Sequence, residues 1–187
     1  MDELNLITME AEEKMGKAQE FLLEEFSGLN TGKASPAMVD KITVDYYGSP
    51  TRIQQLGNIS VPEPRLIVIS PFDPSVLPEI NKAILAANIG VTPMNDGRVI
   101  RIPIPELSEE RRKEMVKIAG RNAEEQRVAV RNVRREANET AKAMQKDGDI
   151  TEDDLKQALD EIQKLTDKYV KQIDDALAAK EKDILEE

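Results

Sequence analysis

The stretch "LNTGKASPAMVD" (residues 29–40) follows a long charged segment and has the outward look of a phosphate-binding loop. A Walker loop needs four residues between its glycines, then Lys, then a Ser/Thr hydroxyl for magnesium. Here Gly28 and Gly32 enclose three residues, and Ala34 stands where the hydroxyl belongs. The residues upstream carry a helical stripe, not the apolar run of a buried strand. The nucleotide reading therefore fails, and the stretch reads as the end of a helix and the entry to a different module.

Proline placement supports that division. All 10 prolines lie between Pro36 and Pro105. Because proline removes a backbone donor and clashes inside a helix, long helices are open to the flanks and closed to the middle. The first flank places Leu4, Ile7, Ala11, Met15, Ala18, Leu22, Phe26 and Leu29 at helical spacing. The second opens at "PELSEERRKEMVKIA", with Ser108 as N-cap and two Glu in the first turn. It is expected to run to about Lys146. A heptad frame fits it, with Val116, Ala123, Val130, Ala137 and Met144 at one core position and Ala119, Gln126, Val133 and Thr140 at the other. "KDGDITEDD" ends this helix at Gly148, and Thr151 with Asp154 forms a capping box for another. That last helix presents Leu155, Leu159, Ile162, Leu165, Tyr169, Ile173, Leu177 and Ile184. A calcium loop counted from Asp147 would need Gly and Glu where Glu152 and Ala158 stand, so it is rejected.

The middle alternates differently. "KITVDYYG", "RLIVIS" and "RVIRIPIP" read as strands. "PSVLPEINKAILAANIG" reads as a helix through Leu77, Ile80, Ile84 and Ala87 that stops at Gly90. The expected fold class is α+β with two domains: a long antiparallel three-helix bundle, residues 1–29 plus 106–187, and an inserted α/β domain in β/α/β layers, residues 30–105. Two crossings near 29–35 and 103–108 then form a hinge, with Thr31, Gly32, Pro36, Pro103 and Pro105 as its residues.

Composition narrows the chemistry. With neither Cys nor His among 187 residues, thiolate nucleophiles, disulfides and the commonest general base and metal ligand are excluded. No apolar run approaches the roughly 18–20 residues of a membrane span. The acidic opening "MDELNLITMEAEEK" is unlike a targeting peptide, so a cytoplasmic protein is expected.

A net charge of −10 conceals a strong asymmetry. Residues 1–29 hold two Lys against eight acids, and residues 149–187 hold six Lys against thirteen. Between Arg111 and Arg135, nine bases face three acids. In the heptad frame Lys113, Arg127 and Arg134 share one outer position, Lys117 and Arg131 a second, Arg121 and Arg135 a third. Two readings stay open: a solvated row pairing with acids of neighbouring helices, or a row meeting the phosphates of a folded RNA. "VAVRNVRRE", with three Arg in five residues and Val128 on the same side, favours the second.

"TGKASPAMVD", "DYYGSPTRIQQL", "LSEERRKEMVKIA" and "VAVRNVRREAN", in this order and spacing, closely resemble the bacterial ribosome recycling factor family. The likeness extends through "KAILAANIGVTP" and "IQKLTDKYVKQID". It implies an L-shaped, tRNA-sized monomer that enters the ribosomal A site after termination. There it touches large-subunit rRNA near an inter-subunit bridge, and elongation factor G with GTP then splits the subunits. It implies no catalytic centre and no cofactor, the GTP being used by the partner. Carried over by position, the principal arginine is Arg134 with Arg131 beside it; Arg135, Arg127, Lys117 and Arg121 extend the surface by geometry. The family reads Arg-Thr-Gly-Arg-Ala-Ser-Pro where this chain has Asn30-Thr31-Gly32-Lys33-Ala34-Ser35-Pro36, leaving Lys33 as a single basic contact at the elbow. The alternatives are a helical scaffold or chaperone-type interaction protein without an RNA role, and, with less support, a small Ser/Lys/Asp hydrolase.

Overall fold

The structure is a computed structural model and describes residues 2–186. In chain order its elements begin with α1 (Asp2–Ser27), β1 (Thr43–Tyr46), β2 (Ser49–Arg52), α2 (Ile53–Leu56), β3 (Gly57–Glu63) and β4 (Leu66–Pro71). They continue with α3 (Leu77–Ala87), β5 (Met94–Asn95), β6 (Ile100–Pro103), α4 (Glu109–Lys146) and α5 (Glu152–Leu185). Two compact units emerge, Met1–Phe26 with Val116–Glu186, and Ser27–Met115.

The first unit is built from α1, α4 and α5. On α1 the stripe Ala11, Met15, Ala18, Leu22 and Phe26 is buried. Full burial of a side chain such as Leu22 or Met15 contributes about 1.5–3 kcal/mol. The helices meet at Ala11, Ala137 and Ile162, one residue from each. Lys14–Glu136 ties α1 to α4 at 3.7 Å and Lys168–Glu12 ties α5 to α1 at 3.5 Å, but all four side chains are about half exposed and add little. The caps are as expected: Ser108 Oγ accepts from the Arg111 amide at 3.2 Å, and Thr151 and Asp154 close a reciprocal box.

The heptad frame on α4 holds only in part. Ala119, Ala123, Val130 and Ala137 are buried as expected, but the series continues at Ala141 while Thr140 is exposed and Met144 only half-buried. A straight helix turns once per 3.6 residues, so a strict 3.5 repeat drifts by about 20° per heptad and slips a position. On α5 the buried residues are Ala158, Ile162, Thr166, Ile173 and Ile184, with the leucines at the margin. Thr166 is tolerated there because its hydroxyl donates to the Ile162 carbonyl at 2.9 Å.

The second unit holds a four-stranded antiparallel sheet, ordered β3-β4-β6-β5, and the separate hairpin β1-β2. Alternation decides which face is inside: Ile67 and Ile69 of β4 and Ile100 and Ile102 of β6 are buried, with Arg101 exposed between them. Leu77, Ile80 and Ile84 of α3 join the same core with Val44, Ile53 and Ile104. The helix stops before Gly90, at Ala87, because Asn88 takes the left-handed cap conformation (φ 50°). Strands β2, β3 and β5 lie outside the three segments that the sequence marks as strands. "SPTR" is polar with a proline, and β3 has its register shifted between Ser60 and Glu63. Gly57, where β3 begins, has no room for a side chain: a Cβ there would lie 2.7 Å from Pro71 Cα and closer still to the Ser70 carbonyl.

Near the end of α1, Glu25 is half-buried, and its Oε1 is shielded from water without a hydrogen-bond partner among the described residues. Desolvation, then repulsion from Glu125, raises its pKa above the ordinary 4.5. Its contribution is therefore favourable at low pH and lost as pH rises through the raised value. Replacing Glu25 by Gln is expected to raise the melting temperature near neutral pH, with the gain vanishing below about pH 4. Thermal unfolding followed by circular dichroism at both pH values checks this; an equal shift at both would discard the account from a buried, repelled carboxylate charge.

Candidate nucleic-acid interface

Between Lys117 and Arg135 the basic residues of α4 form one outer arc. Lys117, Arg121 and Arg135 are exposed, whereas Arg127, Arg131 and Arg134 are half-buried. At about 100° per residue, the arc from Arg134 through Arg131 and Arg135 to Arg121 spans roughly 140° of the helix surface. Val128 lies within it and is 45% exposed, an apolar residue between cations.

Position along this arc sets what each arginine can offer. Arg127 faces α5. Its Nε donates to Asp174 Oδ1 at 2.7 Å, its Nη2 lies 2.7 Å from the same oxygen, and its Nη1 donates to Glu124 Oε2 at 3.0 Å. Only 18% of the side chain is exposed. Burial opposes its charge, but the hydrogen bonds of Asp174 and Glu124 more than offset this and raise the pKa. The sequence reading set Arg127 in the phosphate-facing row; the structure gives its charge two carboxylate partners instead. Arg131 has a looser hold, Nη1 donating to Glu124 Oε1 at 3.5 Å. Arg134 Nη1 donates to Gln163 Oε1 at 3.4 Å, and the Gln163 amide donates in turn to Asp167 Oδ1 at 2.8 Å. Among the described residues, Lys117, Arg121 and Arg135 form no ion pair. Lys33 is exposed and takes part in an interaction of its own.

The residues expected at the hinge fall into different settings. Gly32 adopts φ +83°, a conformation other residues resist, and its amide donates to the Asn30 side chain at 3.0 Å. Asn30 is thereby buried as a turn former; a long cation in its place would have to leave this pocket. Pro36 opens a single 3-10 turn capped by Ser35, and Thr31 is half-buried before it. Pro103 belongs to the sheet, paired with Leu66, and the Ile104 amide extends the ladder by donating to the Arg65 carbonyl at 2.8 Å. Pro105 is the first residue beyond that ladder. Arg65 then holds Glu106 at 2.7 Å, and this bond lowers the Glu106 pKa.

Sequence reasoning did not find Glu124, Asp174, Gln163 or Asp167. Asp174 and Gln163 meet partners 47 and 29 positions away, across helices whose rotation the pattern alone does not fix. Glu124 and Asp167 share a helix with Arg127 and Gln163, at i,i+3 and i,i+4, a spacing that could have shown them. Among the described residues no cluster of acidic side chains could hold a metal ion, and no helix is long and apolar enough to cross a membrane.

Comparison with known proteins points one way. A family model described as ribosome recycling factor matches residues 22–185. The ribosome-recycling factor of Alkaliphilus metalliredigens is 55% identical over 175 residues, covering 94% of this chain and 95% of the relative. That of Clostridioides difficile is 54% identical over 180 residues, covering 96% and 97%. A solution structure of the ribosome recycling factor superposes with a TM-score of 0.78 at 47% identity, covering 99% of this chain and 98% of the other. A second solved chain covers 98% of this one and 99% of itself, with a TM-score of 0.66 at 39% identity. It comes from models of the T. thermophilus ribosome recycling factor and E. coli elongation factor G bound to the E. coli post-termination complex.

The two kinds of arginine should respond differently to truncation. Arg127→Ala leaves Asp174 without its cation and Glu124 with only the looser contact to Arg131, and is expected to cost about 1–2 kcal/mol of stability. Arg135→Ala, on the open surface, should stay within about 0.5 kcal/mol of wild type. Urea denaturation measures both; equal costs would mean that the Arg127 ion pairs contribute nothing to the fold.

Proposed function

The chain belongs to the ribosome recycling factor family, and on that premise we propose that it splits post-termination ribosomes together with elongation factor G and GTP. It acts as a translation factor, not as an enzyme: the partner uses the GTP, and this chain binds and moves. It works in the cytoplasm as a monomer without a cofactor. The observation that carries the reading is family membership over nearly the whole chain, joined to a helix whose outer arc concentrates positive charge in an otherwise acidic protein.

Within that function, the bundle binds large-subunit rRNA near an inter-subunit bridge through Arg134 and Arg131, extended by Arg135, Arg121 and Lys117. The planar guanidinium suits phosphate oxygens, and exposed cations release counterions on binding. Arg127 takes a supporting place behind them, since its charge is already met by Asp174 and Glu124. Lys33 adds a point charge from the other segment. The domains are residues 1–29 with 106–187, and 30–105. The hinge near 29–35 and 103–108 narrows to about 29–33 and 105–108, because the Ala34 amide and the Ile104 amide are both tied to the β3–β4 turn, each at 2.8 Å.

Two experiments test this. Light scattering of post-termination ribosomes with elongation factor G and GTP is expected to show rapid splitting by wild type and a loss of roughly tenfold or more with Arg134→Ala, since hydrogen bonds to charged groups are worth about 1.5–3 kcal/mol. No splitting by wild type with matched ribosomes would return the scaffold reading. The chain has no Cys, so an engineered cysteine pair can crosslink the two domains specifically. The locked protein is expected to keep its helical content and ribosome binding while losing splitting; normal splitting would show that hinge motion is unnecessary.

A further inference from the structure

Arg127 and Arg134 stand seven positions apart on the same edge of α4, and both reach towards α5. Their partners differ in charge. Arg127 is met by two carboxylates, so its positive charge is largely spent inside the protein. Arg134 is met by a neutral amide, Gln163 Oε1, at 3.4 Å. An amide can hold a guanidinium in one direction without cancelling its charge. One of five donors is used, and the others stay available to a phosphate.

The amide itself is directed. Gln163 Nε2 donates to Asp167 Oδ1 at 2.8 Å. An ionised carboxylate accepts and cannot donate, so it selects the orientation in which Gln163 turns its oxygen, not its nitrogen, to Arg134. The three residues form a relay, Asp167 to Gln163 to Arg134, running from one turn of α5 to the facing edge of α4.

We propose that Gln163, oriented by Asp167, is a positioning residue that holds the Arg134 guanidinium in place for a phosphate oxygen while leaving its charge intact. The inference rests on the reading of Arg134 as an RNA contact. Its physical content is preorganisation: an arginine whose rotamers are already limited gives up less freedom on binding. The neutral partner matters as much as the hold, because a carboxylate at the same place would compete with the phosphate.

A double-mutant cycle on ribosome binding tests it, with affinity measured across a range of salt concentrations. Gln163→Ala is expected to lower affinity roughly two- to tenfold, the cost of one side chain left to order on binding. The slope of log affinity against log salt should not change, since no cation is removed. In the Arg134→Ala background the same substitution should have no further effect. Gln163→Glu should weaken binding more than Gln163→Ala and flatten the slope by about one cation's contribution. Gln163→Met, which keeps length and packing, guards against simple loss of fold and should behave as Gln163→Ala does. Equal weakening by Gln163→Ala with and without Arg134 would make Gln163 a merely structural residue and overturn the proposal. Weaker binding by Arg134→Ala alongside unchanged binding by Gln163→Ala would overturn this inference only. Unchanged binding by Arg134→Ala would overturn the interface reading and this inference with it.

Discussion

Two backbone hydrogen bonds at one turn make it feasible to insert an α/β unit into the sequence of a helical bundle. Ala34 donates to the carbonyl of Pro64, and Ile104 donates to the carbonyl of the next residue, Arg65. The outgoing and returning chains are thus held at consecutive positions of the β3–β4 turn, although 70 residues separate them in sequence. For the helices, those residues behave as a short connection whose closure cost is met by the inserted unit's own core. The Arg65–Glu106 pair adds a side-chain clip on the returning strand. Gly32 is close by, where a Cβ would sit 3.5 Å from the Leu107 side chain, so the two crossings run side by side there.

The same constraint explains the division of residue types. Prolines can serve the inserted unit, ending β4 at Pro71 and opening the turns at Pro36 and Pro74. They would break α1, α4 or α5. Those helices rely instead on small residues at their contacts: Ala11, Ala119, Ala123, Ala137, Ala141 and Ala158 are all buried. Small contacts bring helix axes close, and the long charged side chains are left at the rims. The charged row is not uniform: its edge nearest α5 pairs internally, through Arg127, whereas at its outer part Arg121 and Arg135 make no ion pair among the described residues.

The sequence is most legible where one physical rule acts alone. Proline exclusion and a long apolar stripe placed α1, α4 and α5 to within a few residues, and Ser108 and Thr151 marked two helix starts by the chemistry of orphan amides. Legibility falls where geometry across elements decides. The phase of α4 drifted by one position at Ala141 because supercoiling, not pattern, sets whether a heptad is kept. Strand β2 has no apolar alternation, and it forms because Tyr47 and Gly48 both take positive φ and turn the chain back on β1. The same holds at the candidate interface. The arginines are visible in "VAVRNVRRE", but which of them is neutralised depends on Asp174 and Gln163, residues of another helix. Charge counting sees a cation; only the fold shows whether it is free to act.

The electrostatics of such a protein differ between long and short range. At physiological salt the screening length is about 8 Å, and packed helix axes lie about 8–10 Å apart. Where α5 meets α4 the charges pair directly, as Asp174 does with Arg127 at 2.7 Å, and the reach of the remaining acids is limited by that screening length. From a distance an RNA meets a body of net charge −10 and is repelled. At the α4 face proposed for RNA it would meet the cations first, within a few ångströms. Attraction is then confined to contact with one face, so approach by any other face is unrewarded. On this view the acidic helices contribute orientation instead of affinity. A uniformly basic bundle would hold RNA more tightly and in more ways, a poor fit to the proposed role of binding one face of a ribosome and then letting go.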